Sequence, residues 1–94
     1  MELEQLRMFV AAAEAGGFSQ AGRRLYTSHS TVSRAVSALE KELGLELMTR
    51  GSRGLSLTPA GFLLLSEGRQ LLSQADSLAE KLAAVSYTHL TLPT

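Results

Sequence analysis

The sequence predicts a mainly α-helical fold: three short helices, a β-hairpin, and one long final helix. Three observations predict it. Apolar residues recur at helical spacing in separate windows, with turn residues between them. One Gly-rich turn, "GSRG" at 51–54, is flanked by short alternating segments instead of a helical period. The last window keeps a seven-residue repeat for about four cycles.

Leu3, Leu6, Phe9, Val10 and Ala13 make residues 2–15 an amphipathic helix. "AGGF" at 15–18 stops it, with Gly16 or Gly17 as the left-handed terminal residue. Ser19 is expected to cap a second short helix, "SQAGRRLY". Gly22 inside it is unfavourable by about 1 kcal/mol relative to alanine, which implies that another backbone crosses close by.

A third helix follows a break near Thr27–Ser28. Val32, Val36, Leu39 and Leu43 form its apolar stripe, Ser28 or Ser30 its cap, and Gly44 its end. Its other face carries His29, Ser30, Ser33, Arg34, Ser37 and Lys41. Hydroxyl residues are mediocre helix formers because they compete for nearby backbone groups. Their density here suits a low, hydrogen-bonding surface that a partner can approach closely.

"LELMTR" and "GLSLT" around the Gly-rich turn read as a hairpin, with Arg50 at its base and Arg53 at its tip. Thr58 caps the last helix and Pro59 occupies its first position. That helix is expected over about 59–85. Leu64, Leu71, Leu78 and Val85 form one row, and Gly61, Gly68, Ala75 and Leu82 a companion row, whose glycines and alanine allow close approach. A helix of about 27 residues spans about 40 Å, too long for so small a domain to cover. Part of the seam is therefore expected to face a second chain, with Leu64, Leu71, Ala75, Leu78 and Leu82 as dimerisation residues. The uncharged, Thr-rich tail 86–94 departs in character and is assigned no function.

Composition narrows the function. The 94 residues contain no cysteine, which removes disulfides, thiolate metal sites and cysteine catalysis, and suits a cytoplasmic location. No apolar run approaches the roughly 20 residues of a membrane span. Net charge is zero, but residues 19–58 hold three more cations than acids, which permits a positive face in the middle of the chain. His29 and His89 are the only histidines, and Glu40 and Glu42 fall on different helix faces. No nucleophile–base–orienter set forms, so an enzyme is not expected, nor a cofactor or metal.

Short helix, tight turn, longer helix with a polar outer face, then a hairpin: this order is that of a winged helix-turn-helix. In that arrangement the second helix of the pair enters the major groove of double-stranded DNA. Arg34 has the reach for a bidentate contact to guanine, and Ser33, Ser30 and His29 for bases or phosphates. Ser19, Gln20, Ser28, Thr31, Ser37 and Arg50 complete the candidate DNA contacts, since helix N-termini and short polar side chains suit phosphate oxygens. Arg53 on the wing suits the minor groove or backbone.

The ordered motifs "LRMFVAAAEAGGFSQAG", "S-x-S-T-V-S-R-A-V-S-x-L-E-x-x-L-G", "L-x-x-R" and "L-T-P-A-G" resemble the N-terminal winged helix-turn-helix domain of LysR-type transcriptional regulators, over residues 1 to about 85. The resemblance implies a bacterial regulator that binds DNA as a dimer or tetramer, with the long helix as dimerisation linker. It also implies that His29, Ser30, Ser33 and Arg34 face DNA, with Arg53 on the wing. The sequence departs from the family pattern at His29 (usually Gln), at Met48-Thr49 (usually Phe-Glu) and at Gly22 (usually Ala). The family continues into a large C-terminal effector-binding domain that this chain lacks, so a small-molecule effector would act only through that domain. The expected organisation is 1–58 winged helix-turn-helix, 59–85 linker helix and 86–94 tail. The alternative reading is a winged helix used only for protein contacts, because fold alone does not establish function.

Overall fold

A computed structural model describes the backbone of residues 1–89 and the side chains through residue 85. The expectation about the tail thus falls outside the described residues, apart from the helical backbone of 86–89. The element order is α1 (Leu3–Ala15), α2 (Phe18–Arg24), α3 (His29–Leu43), β1 (Met48–Gly51), β2 (Gly54–Leu57) and α4 (Pro59–His89). The long helix thus runs four residues past the sequence-based limit.

The helix ends are set by local chemistry. Glu2 and Gln5 form a capping box at the start of α1. Gly16 and Gly44, at φ 79° and 68°, take the left-handed position that ends α1 and α3. Ser28 resolves the open choice of cap for α3: its side chain accepts from the Thr31 backbone N–H at 3.2 Å. Ser19 is not the cap of α2. Gly17 takes that place in an extended conformation, Phe18 is the first helical residue, and Ser19 lies inside the first turn. The helix also stops at Arg24, because Tyr26 turns to φ 58° and sends the chain toward α3.

The core sits where α1, α2 and α3 meet under α4. Leu6, Phe9, Val32, Val36, Leu39 and Leu47 are its fully buried large side chains. Val32, Val36 and Leu39 are three of the four expected stripe residues of α3; Leu43 is 40% exposed. The hairpin is antiparallel, with Met48 paired to Leu57 and Gly51 to Gly54. It is shorter than expected at its first strand, because Leu47 turns into the core instead of pairing, while Leu45 and Glu46 stay exposed. Leu47 is buried, and its N–H donates to Glu40 Oε2 at 2.8 Å, with Met48 N–H on the same oxygen at 3.3 Å. Glu40 therefore ties the base of the wing to α3.

Thr58 acts as expected. Its hydroxyl accepts from Gly61 N–H at 3.0 Å and donates to the Glu46 carbonyl at 2.6 Å. The companion row of the proposed seam is corrected at its first half. Gly61 and Gly68 are buried against their own domain: Gly61 on the Leu47 carbonyl, Gly68 on Leu6 and Val10 of α1. Leu72, outside both expected rows, is the residue by which α4 enters the core.

Gly22 confirms a close backbone approach. A Cβ there would lie 2.7 Å from the Thr27 carbonyl oxygen and 3.2 Å from the His29 nitrogen. Alanine therefore fits at this position only if the turn backbone shifts. Gly22→Ala gains about 1 kcal/mol of helix propensity but overpacks the turn at a cost of about 1–3 kcal/mol. Thermal melts should show a net loss of stability for Gly22→Ala, and a larger one for Gly22→Leu.

Candidate nucleic-acid interface

The outward face of α3 is built by its N-terminal turns. His29, Arg34 and Ser37 are exposed, and Ser30, Thr31 and Ser33 are half-buried. Ser28 is exposed but engaged, since its hydroxyl contacts that of Thr31 at 2.9 Å while it caps the helix. These two hydroxyls hold the start of α3 in shape. The α3 N-terminus also carries backbone N–H groups suited to an anion. Ser19 and Gln20 are exposed in the first turn of α2, and Arg53 is exposed in the hairpin turn.

Arg50 occupies a more specific position than the sequence suggests. Its Nη2 donates to Ser33 Oγ at 3.2 Å, and its guanidinium lies 4.8 Å from the centre of the Phe18 ring. A cation over an aromatic face contributes about 0.5–1 kcal/mol at an exposed site. Arg50 thereby joins the wing, α3 and the start of α2. The structure brings Ser33, Arg50 and, next along α3, Arg34 into one neighbourhood.

Ion pairs tie the helices to one another, and those of Arg69 and Asp76 tie α4 to α1. Glu14 Oε1 accepts from Arg24 and Oε2 from Arg69, each at 2.8 Å. Arg7 meets Asp76 at 2.9 Å, and the N-terminal ammonium meets Glu42. The Arg69 guanidinium holds the Glu14 carboxyl below the usual carboxylate range, against partial burial, and Arg24 adds to the effect. Among the described residues, Arg34 and Arg53 have no such acid partner within the chain.

Sequence reasoning missed three contributors. Phe18 carries no polar group, and only its place at the start of α2 hints at its ring under Arg50. Glu40 has an ordinary helical position, and its lock on Leu47 depends on the chain folding back after Gly44. Tyr26 is 97% exposed in the turn, and no glycine or asparagine marks its left-handed backbone.

The expected dimerisation residues divide into two groups. Leu64 and Ala75 are half-buried, whereas Leu71, Leu78 and Leu82 are about half exposed or more. Leu43, Leu45, Leu63, Leu64 and Leu71 line an apolar groove of about 340 Å³ beside the first half of α4. No helix among the described residues is long and apolar enough to cross a membrane.

Three helices with the second pair joined by a tight turn, a two-stranded wing and a long trailing helix define a winged helix-turn-helix protein. The family described as "Bacterial regulatory helix-turn-helix protein, lysR family" matches residues 3–62, and the chain belongs to that family, which is regulatory and not enzymatic. The HTH-type transcriptional regulator TfdT of Cupriavidus pinatubonensis is 47% identical over 73 residues, covering 78% of this chain and 32% of TfdT. BenM of Acinetobacter baylyi is 38% identical over 91 residues, covering 94% of this chain and 30% of BenM. The chain thus spans about a third of the length of these relatives. Among solved structures, the complex of the CbnR DNA-binding domain with DNA superposes with a TM-score of 0.84 at 38% identity, covering 92% of this chain and 99% of that one. The complex of the BenM DNA-binding domain with catB site 1 DNA superposes at 0.88 with 36% identity, covering 92% and 97%.

Proposed function

We propose that this chain is the part of a bacterial transcriptional regulator that recognises specific sites on double-stranded DNA, acting in the cytoplasm. One observation carries the reading. Among the described residues, Arg34 on the outer face of α3 and Arg53 on the wing are exposed with no acid partner within the chain, as are Arg23 and Lys41, while Arg7, Arg24 and Arg69 are matched to acids elsewhere. A cation left without an acid partner beside a Ser-rich helix face suits a polyanion with acceptor-rich base edges. In this reading residues 1–58 form the reading head, with α3 (about 28–43) in the major groove and the wing (about 46–58) at the flanking groove or backbone. Arg34 reads a guanine edge. Ser30, Ser33 and His29 contact bases or phosphates. Ser19, Gln20, Ser28, Thr31 and Ser37 border the backbone, and Arg50 orients Ser33. The DNA complexes of the CbnR and BenM domains, which share the fold, support this reading.

Residues 59–85 form the dimerisation helix of a homodimer. The apolar groove beside the first half of α4 and the exposed apolar side chains on its second half are complementary within one antiparallel pair. A two-fold axis between Gln74 and Ala75 sets Leu71 against Leu78 and Leu64 against Val85. Each exposed tail then covers the other chain's groove. A parallel pair would leave both grooves open. The family resemblance adds a small-molecule effector for the whole regulator, acting through a further domain.

Arg53 gives a direct test against a protein-docking role. If it neutralises a phosphate, Arg53→Ala should weaken binding to specific and scrambled duplexes about equally. It should also reduce the slope of log affinity against log salt by about 0.9. A mobility-shift titration at two salt concentrations reads both. A wild-type protein that shifts no duplex even at low salt favours the protein-contact reading.

A further inference from the structure

Beyond the face that meets DNA, the molecule carries one feature that no contact with a base or phosphate explains: the ion bridge Arg24–Glu14–Arg69. It spans three elements through one carboxylate, with Arg24 in the last turn of α2, Glu14 near the end of α1 and Arg69 in the first half of α4. The Glu14 side chain is only 31% exposed, and each of its oxygens accepts one guanidinium at 2.8 Å. Next to it, Gly68 seats α4 against Leu6 and Val10, and Leu72 reaches into the core. About two helical turns on from Arg69, Arg7 of α1 holds Asp76 of α4 at 2.9 Å. The apolar contact around Gly68 and Leu72 is a crossing of α4 over α1, about two turns beyond the seat of α4 on Leu47 at Gly61. The ion pairs flank that crossing and add polar restraint to its angle.

We infer that Glu14 is a positioning residue that fixes the angle between the dimerisation helix and the DNA-reading helix, and so sets which spacing of two half-sites the dimer accepts. This rests on the dimer reading above. The mechanical path is continuous: α4 to Arg69, to Glu14, to Arg24 in α2, and from α2 across the Gly22 contact to the first residues of α3. Geometry makes the angle consequential. With a lever arm of about half the 25 Å breadth of the chain, a swing of about 10° about the α1–α4 crossing displaces α3 by about 2 Å, a large part of the roughly 3.4 Å rise per base pair. A loosening of that size blurs the dimer's discrimination between neighbouring spacings. The depressed protonation equilibrium of Glu14 agrees with a carboxylate that stays charged between two cations.

The test uses this chain and a duplex set built from two copies of a half-site selected in vitro by the wild-type protein, with spacers lengthened or shortened by one base pair. Glu14→Gln keeps the side-chain shape and removes the charge. For the wild type, the ratio of affinities between the optimal and the neighbouring spacers measures the discrimination. Glu14→Gln should reduce that ratio by roughly 1.5-fold to fivefold, the range expected from exposed ion pairs. Arg69→Gln should do the same, while Arg69→Lys, which keeps the cation, should retain most of it. Release of Arg24 adds general attraction for DNA, but this raises affinity for every spacer and cancels in the ratio. Sedimentation of each variant and a thermal melt accompany the titrations. An unchanged ratio in a folded, dimeric Glu14→Gln overturns the inference and leaves the dimer reading intact. A wild type that binds as a monomer overturns both.

Discussion

Gly61→Ala is expected to destabilise the domain by about 3 kcal/mol or more, at the upper end of what overpacking usually costs. A Cβ at this position would stand 2.0 Å from the Leu47 carbonyl oxygen and 3.1 Å from its carbon. Backbone cannot step aside here. The same carbonyl accepts from Thr58 N–H at 3.1 Å, the Leu47 N–H is held by Glu40, and the Leu47 side chain is fully buried. Relief requires α4 to lift off the wing base, which also exposes Leu57 and strands a hydrogen bond. For a domain of this size the melting temperature should fall by more than about 10 °C. Gly68→Ala supplies the internal comparison. Its Cβ would meet Leu6 Cδ1 at 2.9 Å, the far end of a side chain that can change rotamer. A melt in which Gly61→Ala is as mild as Gly68→Ala would contradict the seating of α4 on Leu47.

Leu71→Asp combined with Leu78→Asp is expected to convert the protein to monomers. At about 1.5 Å per residue the 31 residues of α4 extend about 46 Å, and the second half leaves the body with Leu78, Leu82 and Val85 more than half exposed. In the antiparallel pair Leu71 and Leu78 oppose one another, so the double substitution places four carboxylates in the seam. Unpaired charges cannot remain buried there. Both positions are exposed in the single chain, so the variant should stay folded, with a melting temperature lowered only by the loss of association, while the sedimentation coefficient falls. A wild type that is monomeric at tens of micromolar, where an association of about 7 kcal/mol is visible, contradicts the dimer.

The parts of the fold that follow from local chemistry were legible in the sequence. The stripe of α3, the Thr58-Pro59 start of α4 and the hairpin turn each depend on a few neighbouring residues. The misplaced features depend on contacts distant in sequence. Ser19 was a chemically sound cap, yet Phe18 had to enter the helix to place its ring under Arg50. The row containing Gly61 and Gly68 has the period of a coiled-coil seam, but periodicity does not distinguish a partner chain from the chain's own α1 and wing. Of the candidate site, the residue types on α3 were readable from their polarity. The roles of Arg50 and Glu14 were not, because Arg50 reaches Ser33 across 17 residues of sequence and Glu14 reaches Arg69 across 55.

Sequence reading by α3 is tested most directly by titrating wild type and Arg34→Ala against a duplex selected by the wild-type protein and against a scrambled duplex of the same length. Arg34 stands one turn into α3, on the face away from Val32, Val36 and Leu39, exposed and without an acid partner within the chain among the described residues. A bidentate contact to guanine contributes about 1–3 kcal/mol of discrimination. Arg34→Ala should therefore lose about tenfold to a hundredfold in affinity on the selected duplex and much less on the scrambled one. Equal losses on both duplexes would contradict base reading by Arg34 and make it a phosphate contact.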